Sequence, residues 1–400
     1  MGIVATACAM SYLAAMDSAT SPLPRSAAVV VVGGGFAGLS TANALHRRGV
    51  TDLVILEQEP VPAFHSSGRN AAILRRLIEE PTTLALAIAS HPALSALTNP
   101  DGSPLIKRTG GLLIGDLPFL DHLASIASGA ATSPPLSVER WTREQALARV
   151  PVLADSDFAG ALYLADDGVV DIHGLTQALL RPVRDRFHPK TPVIGLEHAH
   201  GRVTAVHTPD GRIATGHLVL AGGFGSNAIA AFAGLDPLPF KPVRRHLFVT
   251  SATGLVARDA PWVWNGSAGF YFRPEGQGLL LCACDATPWR DDQPIDPPVD
   301  PAAREWLAEK LTARAPRLSE LRPTRGWAGL RVLTPDDRFV LGPDPRLAGL
   351  TWVAGLGGHG MTTACAVGEL GADLVLGQAT SGLTHLAPAL APSRFLVRAA

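Results

Sequence analysis

A β-branched run that leads straight into a glycine-rich turn constrains the fold of this chain more than any other feature. Residues Ala27–Val32 read as a buried strand, and the next six residues have the sequence G-G-G-F-A-G. The apolar period then changes from that of a strand to that of a helix, which Gly49 closes. Thr51–Leu56 form a second apolar run that ends in Glu57. This order predicts a strand–turn–helix–strand unit with glycines at the turn.

The spacing of the glycines suits a bound dinucleotide. Gly33 permits the tight turn, Gly35 lets the backbone approach a pyrophosphate, and Gly38 lets the helix pack against the strand. The helix N-terminus adds free N–H groups and partial positive charge. Glu57 follows Gly38 by 19 residues, which suits an acid that binds ribose hydroxyls and argues against a 2′-phosphate. The pattern therefore predicts a dinucleotide site, and the alternative is a tight turn without a ligand.

A second glycine-rich segment near the end of the chain helps to identify the dinucleotide. Leu350–Ala354 read as a strand, and residues 355–360 (G-L-G-G-H-G) precede an apolar helix that runs to Leu376. An NAD dehydrogenase does not need this element, whereas a reduced flavin carries negative charge that a helix N-terminus stabilises. The segment favours a flavin, and the alternative is a glycine-rich C-terminal turn.

The central part of the chain has the period of β-strands. Residues 201–220 read as a β-meander, and strands at 245–250, 269–272 and 279–282 read as an antiparallel sheet. We predict an α/β fold in which a discontinuous Rossmann-type nucleotide-binding domain carries an inserted α+β substrate domain with an antiparallel sheet. The boundaries that we expect are 27–78, 152–235 and 326–380 for the first domain, 79–151 and 236–325 for the second, 1–26 for a loose leader and 381–400 for a C-terminal tail.

Charge and composition exclude several classes of function. Lys and Arg number 34 against 35 Asp and Glu, so the chain lacks the basic excess of a nucleic-acid-binding protein. Four cysteines are too few and too scattered for a disulfide framework or a zinc site, and we predict no metal. No apolar run is long enough to span a bilayer, and the first basic residue, Arg25, comes too late for a secretory signal. We expect a cytoplasmic protein.

Several further motifs make the chain resemble the D-amino acid oxidase/sarcosine oxidase superfamily of FAD enzymes. They occur between Val29 and Gly377, and they are the 33–38 turn, Glu57, 65–72 (H-S-S-G-R-N-A-A), 221–222 (A-G), 327–331 (W-A-G-L-R) and 355–371. Segments 65–72, 150–153, 270–271 and 327–331 resemble D-arginine dehydrogenase, whereas 334–339 and 358–360 resemble sarcosine oxidase. The resemblance implies bound FAD and oxidation of the C–N bond of a D-amino acid or a related secondary amine by hydride transfer to flavin N5.

The resemblance also implies which residues bind the cofactor. The three motif glycines would hold the pyrophosphate, Glu57 the adenosine ribose, and the backbone of Val193 the adenine. The implied set is Gly33, Gly35, Phe36, Ala37, Gly38, Glu57, Gln58, Ser66, Ser67, Arg69, Asn70, Ala71, Ala72, Val193, Gly222, Gly357, Gly358, His359, Gly360, Met361 and Thr362. For the segment 66–72 the alternative is a polar surface turn.

Arginines are the side chains that we expect to hold the substrate. The protein must place the reacting carbon over flavin N5, and a planar guanidinium group binds a carboxylate through two parallel hydrogen bonds. The resemblance places Arg331 at the carboxylate-binding position, with Tyr271 assisting it. It places Arg75 where sarcosine oxidases have a carboxylate-binding arginine. If Arg75 and Arg331 both face the flavin, a substrate with two carboxylates would fit; the alternative for each is a surface or structural role.

Other side chains near these motifs have more than one interpretation. Arg244 and Arg245 are further candidates for substrate binding. His359, at a helix start, could bond the flavin ring or act as a base, and the alternative is a structural residue. His65 and His173 are expected to be structural.

The chain departs from the family pattern at informative positions. Gly110 replaces the acid that selects basic side chains in D-arginine dehydrogenase, so a cationic substrate is not expected. No cysteine occupies the position of covalent flavin attachment, which implies non-covalent FAD. Leu280 replaces an oxygen-activating lysine of sarcosine oxidase, which favours a quinone or an electron-transfer protein as acceptor. Oxygen is the alternative, because D-amino acid oxidases use it without that lysine. The alternative functions are a flavin monooxygenase or other non-amine flavin oxidoreductase, and a catalytically silent FAD-binding subunit of a larger dehydrogenase complex.

Overall fold

The computed structural model describes residues 22–130 and 136–396. Residues 1–21 of the expected leader, which include Cys8, and residues 397–400 of the expected tail lie outside the described ranges. The strands are β1 (Val29–Val32), β2 (Leu53–Leu56), β3 (Ile73–Leu74), β4 (Ile106–Lys107), β5 (Gly111–Gly115), β6 (Glu139–Thr142), β7 (Gly160–Leu164), β8 (Gly168–Val170), β9 (Phe187–His188), β10 (Gly195–Ala199), β11 (Arg202–Thr208), β12 (Gly211–Ala214), β13 (Leu218–Leu220), β14 (Lys241–Thr250), β15 (Trp262–Asn265), β16 (Phe270–Glu275), β17 (Gly278–Cys282), β18 (Thr287–Pro288), β19 (Pro323–Leu333), β20 (Val340–Pro343) and β21 (Leu350–Ala354).

Helices connect and cover these strands. They are α1 (Phe36–Arg47), α2 (Pro81–Ala96), α3 (Leu117–Gly129), α4 (Arg143–Arg149), α5 (Ile172–Leu180), α6 (Ser226–Ala231), α7 (Pro301–Arg314), α8 (Pro316–Ser319), α9 (Ala364–Leu376) and α10 (Ala387–Leu390). In the described ranges, no helix has the length and apolar character needed to cross a bilayer.

A mostly parallel sheet is built from both ends of the chain. Its strand order is β20-β21-β13-β1-β2-β9, and only β20 runs antiparallel to its neighbour. Val29 and Val31 pack in the core beneath α1 and α9. Val30 and Val32 pack in the opposite core, which includes residues of the small sheet β10–β12. Both faces are therefore covered, which explains the continuous apolar run of β1.

Close helix packing joins the first and last glycine motifs. A Cβ on Gly368 of α9 would lie 2.5 Å from the Ser40 carbonyl oxygen of α1, and one on Gly371 would lie 2.9 Å from Thr41 Oγ1. At the ends of the same helices, Arg48 pairs with buried Asp373 at 2.5 Å. Glycines at this contact let the two helices approach closely, and this brings the C-terminal segment beside the N-terminal turn.

The predicted meander is wrong in its last strand. β10, β11 and β12 form an antiparallel sheet, but Leu218–Leu220 do not join it. Instead, β13 lies parallel between β1 and β21. A short apolar run has the same local pattern in either sheet, so partners distant in sequence decide its position.

A larger sheet extends from β14. Its order is β18-β14-β17-β16-β15-β5-β7-β6, with β19 also paired to β14, and only the β5/β15 pair among these is parallel. One face packs against α7 through Phe248, Phe272 and Leu307. The predicted α/β fold is confirmed, with a mixed rather than purely antiparallel second sheet.

The domain boundaries stay a prediction. Strand pairing places β7 and most of β19 in the larger sheet, although residues 152–235 and 326–380 were assigned to the nucleotide-binding domain. Residues 22–26 and 381–396 also make specific contacts. The Arg25 carbonyl accepts a hydrogen bond from Ala214 (2.9 Å), and Arg394 donates to Asp336 (2.9 Å).

Candidate active site

A cavity of about 440 Å³ lies between the carboxyl ends of the parallel strands and one face of the larger sheet. Ligands of open α/β sheets bind at this edge. The predicted residues that line it are Gly33, Gly35, Phe36, Ala37, Glu57, Gln58, Ser66, Ser67, Arg69, Asn70, Ala71, Arg75, Val193, Gly222, Tyr271, Arg331, Gly357, Gly358, His359, Gly360, Met361 and Thr362. Gly38 and Ala72 do not line it. A Cβ on Gly38 would overlap the Gly33 carbonyl oxygen, so this glycine serves the turn itself.

The first glycine turn forms one wall of the cavity. Gly33 has φ +111, and a Cβ there would overlap the Ala221 carbonyl oxygen. No side chain caps the N-terminus of α1 at Gly35, and no acid occupies its first turn. Ser67 Oγ accepts a hydrogen bond from Phe36 N (3.0 Å). The other N–H groups of the first turn of α1 are left for a ligand such as a pyrophosphate.

Glu57 fixes this turn from the neighbouring strand. Its Oε2 accepts a hydrogen bond from Gly34 N (2.6 Å), and its Oε1 accepts one from Glu59 N (2.9 Å). Burial raises the pKa of Glu57, and these hydrogen bonds oppose that rise. Each carboxylate oxygen can accept a second hydrogen bond, which leaves capacity for ribose hydroxyls.

The 66–72 segment is fastened to the larger sheet. Ser66 Oγ donates to the Leu330 carbonyl (2.6 Å), and Trp327 Nε1 donates to the Arg69 carbonyl (2.9 Å). Asn70 Oδ1 accepts from Ala72 N (2.6 Å), which supports the left-handed backbone of Ala72 (φ +59). These bonds hold the segment against β19, where it forms a side wall of the cavity.

One end of the cavity, lined by Arg245, Tyr271 and Arg331 and here called the reactive end, lies on one face of the larger sheet. Side chains alternate along a strand, so only one face of this sheet contributes to it. Leu247 and Tyr271 belong to a small core on this face, whereas Phe248 and Phe272 belong to the core beneath α7. Arg245 lies opposite Gly329, and Arg331 lies opposite Val243. Arg245 and Arg331 are therefore diagonal neighbours on the same face of adjacent strands, with Cα atoms about 7–8 Å apart.

Arg331 is held against the second glycine segment. A Cβ on Gly358 would lie 2.6 Å from Arg331 Nε, and Gly358 has φ +92. Within residues 22–130 and 136–396, its guanidinium group has no hydrogen-bond acceptor or ion-pair partner. Burial and the charge of Arg245 lower the pKa of Arg331, while burial raises the pKa of the neighbouring Tyr271 hydroxyl. An unpaired, half-buried cation is costly, so this group is suited to bind an anionic ligand.

Arg75 reaches the same end of the cavity from the loop after β3. It is buried, and its guanidinium carbon lies 3.6 Å from the centre of the Trp264 ring. Its Nη2 pairs with Glu79 at 2.7 Å, while its buried Nε has no partner in the described chain. Burial lowers the pKa of Arg75.

The pKa of His359 reflects the positive charges around it. Burial, followed by the positive charges of Arg75, Arg331 and Arg245, lowers the pKa of His359 to about 3. Its imidazole is therefore neutral at physiological pH and is a weak base. A neutral, weakly basic imidazole suits a hydrogen bond to the flavin ring better than it suits the role of a base.

The structure separates the remaining predicted candidates. Arg245 lines the cavity, whereas Arg244 pairs with Asp300 and does not line it. His65 lines the cavity with Nε2 2.8 Å from Glu59, and His173 does not line it.

Sequence reasoning missed several lining residues. They include Trp264, which stacks on Arg75, and Thr191, Phe224, Ile229 and Ile295. The alternation of β15 could have indicated a face for Trp264, but no motif marks the others.

Comparisons with known proteins find relatives along most of this chain. Residues 28–374 match the DAO family, described as FAD dependent oxidoreductase. A glycine oxidase of Pseudomonas putida is 30% identical over 87% of this chain and 94% of its own length. The FAD-dependent oxidoreductase domain-containing protein 1 of Bos taurus is 26% identical over 88% of this chain and 82% of its own. The crystal structure of an L-proline dehydrogenase from P. horikoshii superposes with a TM-score of 0.80 at 23% identity, over 93% of this chain and 98% of that one.

Proposed function

This chain belongs to the DAO family of FAD-dependent oxidoreductases, and from that premise we propose that it oxidises the C–N bond of a D-amino acid or a related secondary amine bearing a carboxylate. The observation that carries the proposal is Arg331. Its guanidinium group has no partner in the described chain. It packs against Gly358 and lines the cavity together with Tyr271. A substrate carboxylate would supply the missing anion.

The residues along the cavity suit FAD. The uncapped end of α1 and Gly35 would hold the pyrophosphate, Glu57 the ribose, and the 355–362 segment the flavin side. When bound, the flavin supplies an acceptor for a hydride from the carbon that carries nitrogen. No cysteine lines the cavity in the described ranges, which supports non-covalent attachment.

The protein's own contribution is to bind and orient the substrate. Arg331 would bind the carboxylate through two hydrogen bonds, and the Tyr271 hydroxyl would donate a third. Loss of hydride requires a neutral amine with a free lone pair. The positive charges that lower the pKa of His359 would also disfavour a nearby substrate ammonium group and favour its neutral form. The imine that forms is hydrolysed by water to a carbonyl compound and an amine.

The electron acceptor is part of the same proposal. No lysine lines the described cavity, and Leu280 is buried in the small core beside Tyr271. Both observations favour a quinone or an electron-transfer protein over oxygen. Stopped-flow reoxidation of the reduced protein by each acceptor measures this directly.

The test of the function is anaerobic reduction of the purified yellow protein. Glycine, sarcosine and the D- and L-forms of neutral and acidic amino acids are mixed with it, and the flavin band at roughly 450 nm is followed. Bleaching by D-amino acids or secondary amines, with release of the carbonyl product, supports the proposal. A coloured protein that no amine reduces contradicts it and favours the silent FAD-binding subunit.

A further inference from the structure

The reactive end of the cavity carries more positive charge than one carboxylate can balance. Arg75, Arg245 and Arg331 all line it, and all three lower the pKa of His359. Among the described residues that line the cavity, Glu57 is the only carboxylate, and it is bonded to the turn at the nucleotide end. Of these three arginines, only Arg75 has an ion-pair partner within the described ranges; it is Glu79, which does not line the cavity.

The side chain of Arg245 is anchored by a backbone carbonyl but forms no ion pair with an acid in the described ranges. Its Nε donates to the Asp285 carbonyl, which anchors the side chain, and within the described ranges its two terminal nitrogens have no acceptor. The Asp285 carboxylate instead bonds His246 Nδ1 (2.7 Å). Arg245 and Arg331 thus lie diagonally on one sheet face, with no acid paired to either in the described chain. Like charges in this arrangement repel, so an anion bound between the two guanidinium groups would be favoured.

We propose that the substrate carries a second acidic group, which Arg245 and Arg75 bind while Arg331 binds the first. The inference rests on the proposed function and narrows it to amino or imino dicarboxylates. An oxidised flavin ring is neutral and supplies no anion before the reaction. The carboxylates that pair with Arg245 and Arg331 would therefore come from the ligand, although Cys282 and Asp285 already compensate part of the charge of Arg245. Gly329, opposite Arg245, also lines the cavity.

Unreactive carboxylates test the inference without any turnover. Acetate and propionate are compared with malonate and succinate on the holoenzyme at constant ionic strength, because screening changes the affinity of any dianion. Binding is followed by perturbation of the flavin absorption spectrum and by the thermal midpoint. We expect the better dicarboxylate to bind about 10- to 100-fold more tightly than the monocarboxylates, as one added charged hydrogen-bonded contact implies.

Variants assign the effect to named side chains. Arg245→Gln should remove most of the dicarboxylate preference, and Arg75→Gln should reduce it. Arg325→Gln is the matched control, because Arg325 lies on the same strand as Arg331 but is exposed and outside the cavity. It should leave the preference unchanged. If Arg245→Gln does not fold, the ratio of affinities in the wild-type holoenzyme decides alone.

The possible outcomes distinguish a failure of this inference from a failure of the proposed function. Dicarboxylates that bind no better than monocarboxylates overturn the inference even if amino acids bleach the flavin. An Arg245→Gln variant that weakens both ligand classes equally does the same, because it indicates a structural role. Tight dicarboxylate binding without reduction by any amine contradicts the proposed function and leaves the second binding position intact.

Discussion

Replacing Arg331 by methionine should separate activity from stability. Methionine keeps an apolar stem that can pack on Gly358, but it removes the charge. That charge is disfavoured in the fold, since burial and Arg245 lower the pKa of Arg331. The free energy of unfolding of the substrate-free holoenzyme should therefore be unchanged or higher in Arg331→Met.

The loss of activity can be estimated from the contacts that disappear. A hydrogen bond to a charged partner contributes about 1.5–3 kcal/mol, and a guanidinium group makes two with one carboxylate. A loss of about 3 kcal/mol corresponds to roughly 100-fold in kcat/KM. The same loss should appear in the dissociation constant of an unreactive carboxylate, because the contact forms on binding.

Two measurements on the same preparation test this reasoning. Anaerobic stopped-flow reduction gives the rate and the apparent affinity, and urea unfolding gives the stability. Arg325→Met is the control, with neither quantity expected to change. An Arg331→Met variant that binds carboxylates normally, or one that loses activity only because it unfolds, would refute the role given to Arg331.

Three further variants test other parts of the account. Glu57→Gln removes the charged acceptor of two backbone N–H groups, so FAD should bind the apoprotein about 10-fold more weakly. Fluorescence titration measures this affinity, and the control Glu197→Gln, at an exposed ion pair, should not change it. Gly38→Ala puts a Cβ onto a turn carbonyl oxygen and should lower both thermal midpoint and FAD content, whereas Gly129→Ala, with nothing within 4 Å, should be neutral. His359 has a pKa of about 3 in the fold against 6.5 ordinarily, so the unfolded chain binds a proton that the fold excludes. Stability should thus fall as the pH drops from 6.5 towards 3, by at most about 1.4 kcal/mol per pH unit, and His359→Gln should flatten urea-unfolding curves against pH; an equal slope in both proteins would contradict the charge assignment.

Local patterns were sufficient for the elements that depend on neighbours in sequence. The run Val29–Val32, the glycine turn and Glu57 are read within a few dozen residues, and each has the predicted place. Leu350–Ala354 has its predicted bounds for the same reason. The two glycine motifs could be found without knowing their partners, because each has its own strand and helix.

Positions that depend on distant partners could not be predicted in this way. Leu218–Leu220 has the pattern of a meander strand, yet its neighbours are β1 and β21. The sequence does not distinguish Arg244 from Arg245. The register of β14 with β19 places Arg245, and not Arg244, on the same face as Arg331. One residue of register decides which arginine reaches the cavity.

A crystal structure of the holoenzyme with a bound carboxylate inhibitor tests the central claim most directly. We expect the adenine near Val193, the flavin ring beside the 355–362 segment, and the inhibitor carboxylate bonded to Arg331 and Tyr271. A flavin ring at the Glu57 end, or a carboxylate bound away from Arg331, would contradict it.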